Sequence, residues 1–423
     1  MIFLGGLILR LLSWWLLPLT LAEDASCYHE IALNLLEKGK FFGSEGIAYR
    51  PPLQPFFIFF IYKIFGQKIF LVSLIQIALS LLSAVLIWQI TSAVFDRKAG
   101  IMALVLSLFS FDLALFAPVL MSETLVVFLL ILGFWGLVRF NLSPKERVFL
   151  LVSGLSLGMA VLAKPVFFPV FLLIFFCIKK EKVFTDRQFL FFLCLPFILP
   201  AFLWSARNLF VFQKPVFIST NSGLNFYIGN NPYSRGTYDK NTEKILFLFS
   251  DKSEIERSDL YFKEGIKFIL SNPQKALANV LRKPFYLMAT FGGSAEGLIV
   301  REFEFGEWSF KNLLRGVFGS GQLVSYWLVF LSSLYFLATS FAIIKHNFWL
   351  RIFLLFMAGY IFSLLPFFTF PRFRIPLLPF LIILGSFGIR SFLIKPDFKK
   401  LGFAIIIFCC LTIRDWLKIA WLL

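Results

Sequence analysis

Histidine is nearly absent from this chain: His29 and His346 are the only two in 423 residues, and they stand far apart. That excludes a histidine-rich metal centre. The five cysteines are scattered, and Cys177, Cys194, Cys409 and Cys410 lie in or beside apolar runs. No pair has metal-ligand spacing and no disulfide framework is visible. Charge is scarce too: Asp, Glu, Lys and Arg make up 15% of the residues, with 24 acids against 41 bases. The first apolar segment, Ile2 to Leu21, lacks a basic leader and a small-residue cleavage site. It therefore reads as a retained membrane helix and not as a removed signal peptide. No short-period repeat is evident.

What fills the chain instead is apolar. Hydrophobic residues reach 59%, and 59 residues are phenylalanine. A soluble domain of this length needs a mostly polar surface, so the reading is an all-α polytopic membrane protein, whose spanning backbone must satisfy itself internally. The net charge of +17 suggests nucleic acid at first sight. The bases, however, fall in short clusters between apolar segments, and no aromatic-basic stripe or nucleic-acid motif accompanies them. Topology accounts for the charge, and nucleic acid is not an expected partner.

Hydropathy predicts about eleven spanning segments, near 2–21, 69–94, 100–118, 121–138, 148–163, 165–178, 189–206, 322–344, 352–370, 375–394 and 401–421. Arg414, Asp415 and Lys418 interrupt the last. The chain divides into an N-terminal membrane region (1–211), a more polar portion (212–320) and a C-terminal membrane region (321–423). The polar portion carries a turn-rich run through Gly223, Gly229-Asn230-Asn231-Pro232 and Gly236. Helical stretches follow near 255–270 and 273–290. If the segments alternate, the basic loops at 97–98, 139–147, 179–187, 345–351 and 390–400 share one side, which should be cytoplasmic. Asp24, Arg50, Glu123, Lys164, Arg207, Arg372, Arg374 and the 212–320 portion then collect on the opposite side.

The first loop on that side (22–68) organises the rest. Behind Asp24, the spacing of Tyr28, Ile31, Leu35 and Leu36 predicts an amphipathic helix closed by Gly39. Arg50-Pro51-Pro52 rules out a continuing helix and fixes a cation in a turn. The run Leu53–Phe65 is too short to cross a bilayer and suits an interfacial or re-entrant helix. Asp24 alone could be the N-cap of the amphipathic helix; the functional reading is a general base, with Glu23 a weaker rival. Glu123 reads as a solvated turn residue or dipole-stabilised acid, or as a second acid positioning an acceptor or a divalent ion opposite Asp24. Singly, Arg50, Lys164, Arg207, Arg372 and Arg374 are snorkelling anchors. Together on one face they suit a lipid phosphate, which arginine grips with paired hydrogen bonds. Arg10, in mid-segment, should face the bundle interior with a structural partner, because facing lipid would cost it about 2.5–3.5 kcal/mol. Gly154 and Gly158 permit close helix packing. The sequon-like Asn141-Leu142-Ser143 falls on the cytoplasmic side and is discounted.

These pieces in this order resemble the GT-C superfamily of polytopic glycosyltransferases, on the side of the bacterial protein mannosyltransferase and lipid A aminoarabinose transferase group. The resemblance rests on Asp24, Tyr28, Ile31 and Ala32, then YRPPLQP with FG (49–66), MSET (121–124) and GLSLGMAVLAKP (154–165). It continues through ARN (206–208), NSGLNFYIGNNP (221–232) and PRFRIPLLPF (371–380). It implies a GT-C-like bundle with external juxtamembrane helices and a small external domain. It also implies a polyprenyl-phosphate sugar donor and inverting transfer to a lipid, glycan or protein acceptor on the non-cytoplasmic face, which points to a bacterial inner membrane and a periplasmic site. By resemblance Asp24 is the catalytic base and Glu123 the second acid. Tyr28, Arg50, Lys164, Arg207, Asn208, Arg372 and Arg374 are expected to meet substrate or phosphate. No cofactor is implied with certainty; a divalent ion between Asp24 and Glu123 stays open. Two departures matter. The first loop has Glu-Asp where some relatives have Asp-Glu, and the chain stops soon after segment eleven, so acceptor identity is not carried over. A lipid-linked sugar flippase and a non-catalytic assembly factor are the rival readings. The flippase would show repeat symmetry and paired broken helices near mid-membrane.

Overall fold

The computed structural model describes the chain apart from residues 18–23, 181–184, 240, 241, 243, 290–309 and 423; only the backbone is described at 310 and 414–422. Among the described residues every regular element is a helix. Helix α1 (Ile2–Leu16) leads to α2 (Asp24–Lys38), which ends where Gly39 adopts a φ of +64°, a left-handed cap that glycine takes without a Cβ penalty. Helix α3 (Leu53–Phe65) starts behind Pro52 and stops at Gly66, so the proline pair and the glycine bound the apolar run as read. Glu23 lies outside the described residues.

Helix α4 runs for 26 residues (Ile69–Val94). The apolar stretch after it is not one span, as its hydropathy suggests, but two pieces. Helix α5 (Arg97–Leu108) is capped by the Asp96 side chain, and α6 (Phe111–Phe116) is capped by Ser110. A serine that accepts from the backbone offers the chain an exit from the helix. Helices α7 (Glu123–Leu142), α8 (Val148–Ala163) and α9 (Phe167–Lys180) follow. A π-helical turn (Phe189–Cys194) then runs into α10 (Leu195–Phe212). The polar portion holds α11 (Ser222–Gly229), α12 (Glu254–Ser271) and α13 (Pro273–Met288). Helices α14 (Phe310–Thr339), α15 (Phe341–His346) and α16 (Phe348–Leu364) lead to a 3₁₀ turn (Pro371–Leu377), then α17 (Leu378–Ile394) and α18 (Phe398–Leu422).

Among the described residues five helical stretches are long and apolar enough to cross a membrane: Ile69–Val94, Glu123–Leu142, Asp186–Phe212, Lys311–Thr339 and Pro371–Ile394. Four apolar helices are shorter: Ile2–Leu16, Leu53–Phe65, Val148–Ala163 and Phe348–Leu364. A 16-residue helix spans about 24 Å at about 1.5 Å per residue, short of a hydrocarbon core of about 30 Å.

Phe134 on α7 is fully buried and packs against the rings of Phe171, Phe353, Phe356 and Phe380. Lipid is as apolar as phenylalanine, so shape and dispersion hold this cluster together. Gly154 and Gly158 lie directly beneath the carbonyls of Leu193 and Phe197, where a Cβ would collide. Close packing is therefore their role. Arg10 is fully buried as expected, but its partners are neutral. Its guanidinium donates to Ser80 Oγ at 2.9 Å and to the carbonyls of Gly6, Leu108 and Ser107. Two of those carbonyls end α5, where the helix dipole presents negative charge.

One end of the bundle is built by α4 and the 117–122 segment. Ser73 donates to Pro118 O, and the Gln76 amide donates to Met121 O. These bonds hold the bends between α6 and α7 in place.

Candidate active site

Asp24 opens α2 with a side chain only 18% exposed. Arg50 Nη1 lies 2.5 Å from its Oδ1, and Arg372 Nη2 lies 2.6 Å from its Oδ2. Each carboxylate oxygen is thus taken by an arginine from a different part of the chain. Burial alone would raise the Asp24 pKa, but the two guanidiniums overturn that and hold it at about 2.

Arg50 is itself fixed from the other side. It reaches Glu45 through Nε at 2.7 Å and Nη2 at 3.0 Å, and its guanidinium lies over the Tyr49 ring. Burial works against its charge, yet Asp24 and Glu45 more than compensate and keep it protonated. The loop that carries it is tied to the polar portion. Glu254, first residue of α12, accepts from the amides of Ile47 and Ala48 at 2.7 and 3.0 Å and from the Thr220 hydroxyl at 2.5 Å. Arg257 donates to Glu45 O at 2.9 Å. Gly46, with φ of +151°, lets the backbone pass the Glu254 carboxylate, which would touch a Cβ there.

A second pair lies alongside. Glu123 is 2% exposed, so it is not a solvated turn residue, and its Oε1 meets Lys164 Nζ at 3.0 Å. The other oxygen, Oε2, is buried without a hydrogen-bond partner. Phe373 joins the two pairs. Its ring lies under both the Arg372 guanidinium and the Lys164 ammonium, and its carbonyl accepts from the Tyr360 hydroxyl at 3.0 Å. Tyr28, one helical turn after Asp24, is 7% exposed and lies in the field of Asp24, Arg50, Glu123 and Arg372. Burial first, and then the neighbouring acids, push its phenol well above the usual range.

The remaining expected residues fall elsewhere. Arg374 is fully buried, and its Nη2 donates to both oxygens of Asp112, at 3.1 and 3.2 Å, while its guanidinium lies over the Tyr326 ring at 4.2 Å. Gln322 completes the coordination of Asp112 at 2.7 Å. Asn208 is fully buried and donates to the carbonyls of Val216 and Ile218, closing the turn after α10. Arg207 stacks on Trp204 and Phe41 and donates to Asn208 Oδ1 and Phe41 O. Among the described residues no carboxylate lies within salt-bridge distance of it, although it lies in the field of Glu254. Glu45, Glu254, Arg257 and Phe373 are contributors that the sequence did not single out.

Both Asp24 oxygens face arginine, whereas Glu123 gives one oxygen to Lys164 and keeps Oε2 free of a hydrogen bond. Among the described residues no group of three or more His, Cys, Asp or Glu is placed to hold a metal.

Residues 49–204 match the family model described as dolichyl-phosphate-mannose-protein mannosyltransferase. The match takes in Arg50, Glu123 and Lys164, leaves Asp24 and Arg372 outside, and bears out the resemblance to polytopic glycosyltransferases. No curated protein matches the chain by sequence. Several solved structures are similar. The apo oligosaccharyltransferase of Archaeoglobus fulgidus aligns at 14% identity with a TM-score of 0.49, over 96% of this chain and 54% of that one. The oligosaccharyltransferase AglB from the same organism, in complex with an inhibitory peptide and a dolichol-phosphate, aligns at 13% identity and 0.46, over 96% and 54%. ArnT from Cupriavidus metallidurans, bound to undecaprenyl phosphate, aligns at 13% identity and 0.41, over 92% and 77%. The chain spans about half the length of the oligosaccharyltransferases.

Proposed function

In a chain whose residues 49–204 match a mannosyltransferase family, we propose that the Asp24 cluster transfers a sugar from a polyprenyl-phosphate donor to an acceptor, with inversion at the anomeric carbon. The acceptor hydroxyl or amine gives its proton to an Asp24 oxygen. Its heteroatom forms the new bond to C1 while the bond from C1 to the phosphate oxygen breaks. Polyprenyl phosphate leaves with the electron pair. The positive-inside pattern of the loops supports placing this chemistry on the non-cytoplasmic face.

One observation carries the reading: the two oxygens of a single partly buried carboxylate are clamped by Arg50 and Arg372. In that state Asp24 is a poor base, because it is held at about 2. A donor phosphate competes for the same two guanidiniums. As they turn to it, Asp24 loses the cations that depress its pKa and regains proton affinity. The base is therefore switched on by the substrate it serves, and the arginines then stabilise the charge on the departing phosphate.

The test is sugar release from radiolabelled undecaprenyl-phosphate sugars by the purified full chain and by Asp24→Asn. Removal of a general base lowers turnover by about 10²–10⁴. Wild-type turnover that survives in Asp24→Asn would remove Asp24 from the role of base. Saturable donor binding by both proteins with turnover by neither would favour a transporter.

A further inference from the structure

Helix α3 carries a glutamine where an apolar residue would be expected. Gln54 lies on the stripe with Ile58, Ile61 and Tyr62, at helical spacing, and that stripe packs with Tyr28, Leu120 and Met121 in one cluster. Gln54 is 1% exposed, and neither its amide nitrogen nor its carbonyl oxygen has a hydrogen-bond partner. Two other orphaned atoms border the same cluster. Gln76 Oε1 is buried and unpaired, while its amide nitrogen is spent on Met121 O. Two residues beyond Met121 is Glu123, whose Oε2 is unpaired as well. An unmade buried hydrogen bond costs about 1–3 kcal/mol. Three such side chains bordering one cluster, which also holds Tyr28 one turn beyond Asp24, are a cost that packing does not explain.

We infer that Gln54, together with Gln76 Oε1 and the free Glu123 oxygen, forms the subsite that reads the hydroxyl groups of the donor sugar. The chemistry suits a sugar. A vicinal diol offers both donors and acceptors, a neutral amide answers each kind, and the two orphan oxygens accept from hydroxyls. A phosphate, by contrast, presents only acceptors at its ionised oxygens and would be repelled by Glu123, so this subsite is separate from the arginine clamp. The inference rests on the glycosyltransferase reading and adds to it the residues that select the sugar.

The test is a cycle of substitutions on enzyme and donor. Full-length wild type and Gln54→Met, in lipid nanodiscs, are assayed on a panel of undecaprenyl-phosphate hexoses and pentoses. The donor with the highest turnover is then compared with its single-deoxy analogues, and plain undecaprenyl phosphate is titrated as a binding control. Gln54→Met should lower kcat/KM for the full donor by about 10- to 100-fold. It should leave one deoxy analogue unaffected and plain undecaprenyl phosphate bound as before. Equal losses for every donor and for the plain lipid would mark Gln54 as structural and overturn the inference, as would no loss at all. The latter means that water satisfies these groups. Failure of the wild type to turn over any donor would overturn the glycosyltransferase reading and the subsite together.

Discussion

Arg372 and Arg374 stand two residues apart in one 3₁₀ turn and serve different acids, Arg372 meeting Asp24 and Arg374 meeting Asp112. The first pair is partly exposed, at 17% and 18%, and the second is sealed, at 0% and 1%. Substitution should separate them. Arg374→Met strands the Asp112 charge in the bundle, and breaking such a buried pair costs about 3–5 kcal/mol. A fall in melting temperature, with lost activity as a by-product, is the expected outcome. Arg372→Met leaves Asp24 with Arg50, so the fold should hold while undecaprenyl phosphate binds at least 10-fold more weakly. Thermal melts and lipid-phosphate titrations on both variants check this. Matching behaviour in the two would refute the division of labour.

The clamp also sets a pH signature. A carboxylate held at about 2, below its ordinary value near 3.9, contributes stability above the unfolded value and loses it as pH falls through the folded one. Acid unfolding linked to Asp24 should therefore begin below pH ~4, and Asp24→Asn should remove that component. Kinetically, kcat/KM reports the free enzyme and kcat the substrate complex. If the donor phosphate draws Arg50 and Arg372 away, the acid limb of kcat lies at higher pH than that of kcat/KM. Coincident limbs would mean that the clamp stays closed during turnover.

Gly46→Ala is a sharp probe of the first loop. Its φ of +151° disfavours a side chain, and a Cβ would lie 2.5 Å from the Glu254 carboxyl carbon. The loop bearing Arg50 must then move. A cost of about 1–3 kcal/mol is expected for forcing a residue into such a region, together with lower turnover. Glu254→Ala removes the tether without straining Gly46, so the double variant should be less impaired than the sum of its parts. Strict additivity would count against the contact.

At the buried end of α5, Arg10→Lys should behave like a loss of function for packing. A lysine ammonium cannot match the flat fork that reaches Ser80, Gly6 and the last carbonyls of α5 at once. A melting temperature equal to wild type in Arg10→Lys would show that charge alone suffices there.

Much of this architecture is written in punctuation. Gly39, Pro52 and Gly66 bound α2 and α3 where the sequence puts them, because each forbids continuing the helix for a local steric reason. The break at Ser110 is hidden, since a serine in an apolar run carries no hydropathy signal and acts only through its capping bond. Helix α14 starts at Phe310, twelve residues before the apolar window opens, because Lys311 and Arg315 mask its first turns. The meeting of Asp24, Arg50 and Arg372 was legible from the side of the membrane on which segment ends collect. Alternation cannot say which arginine of Pro371-Arg372-Phe373-Arg374 turns toward which acid. That choice depends on Asp112, an acid inside an apolar stretch that no topological pattern singles out. Glu45, Glu254 and Arg257 escape for the opposite reason: in polar segments, charged residues are ordinary until their partners are known.

The tether at Glu254 joins positions 207 residues apart, Ile47 and Glu254. The turn that delivers Arg50 to the clamp is thus anchored on the first turn of α12, and neither can shift alone. A shift of α12 alone would break the bonds to the Ile47 and Ala48 amides and loosen the turn that carries Arg50.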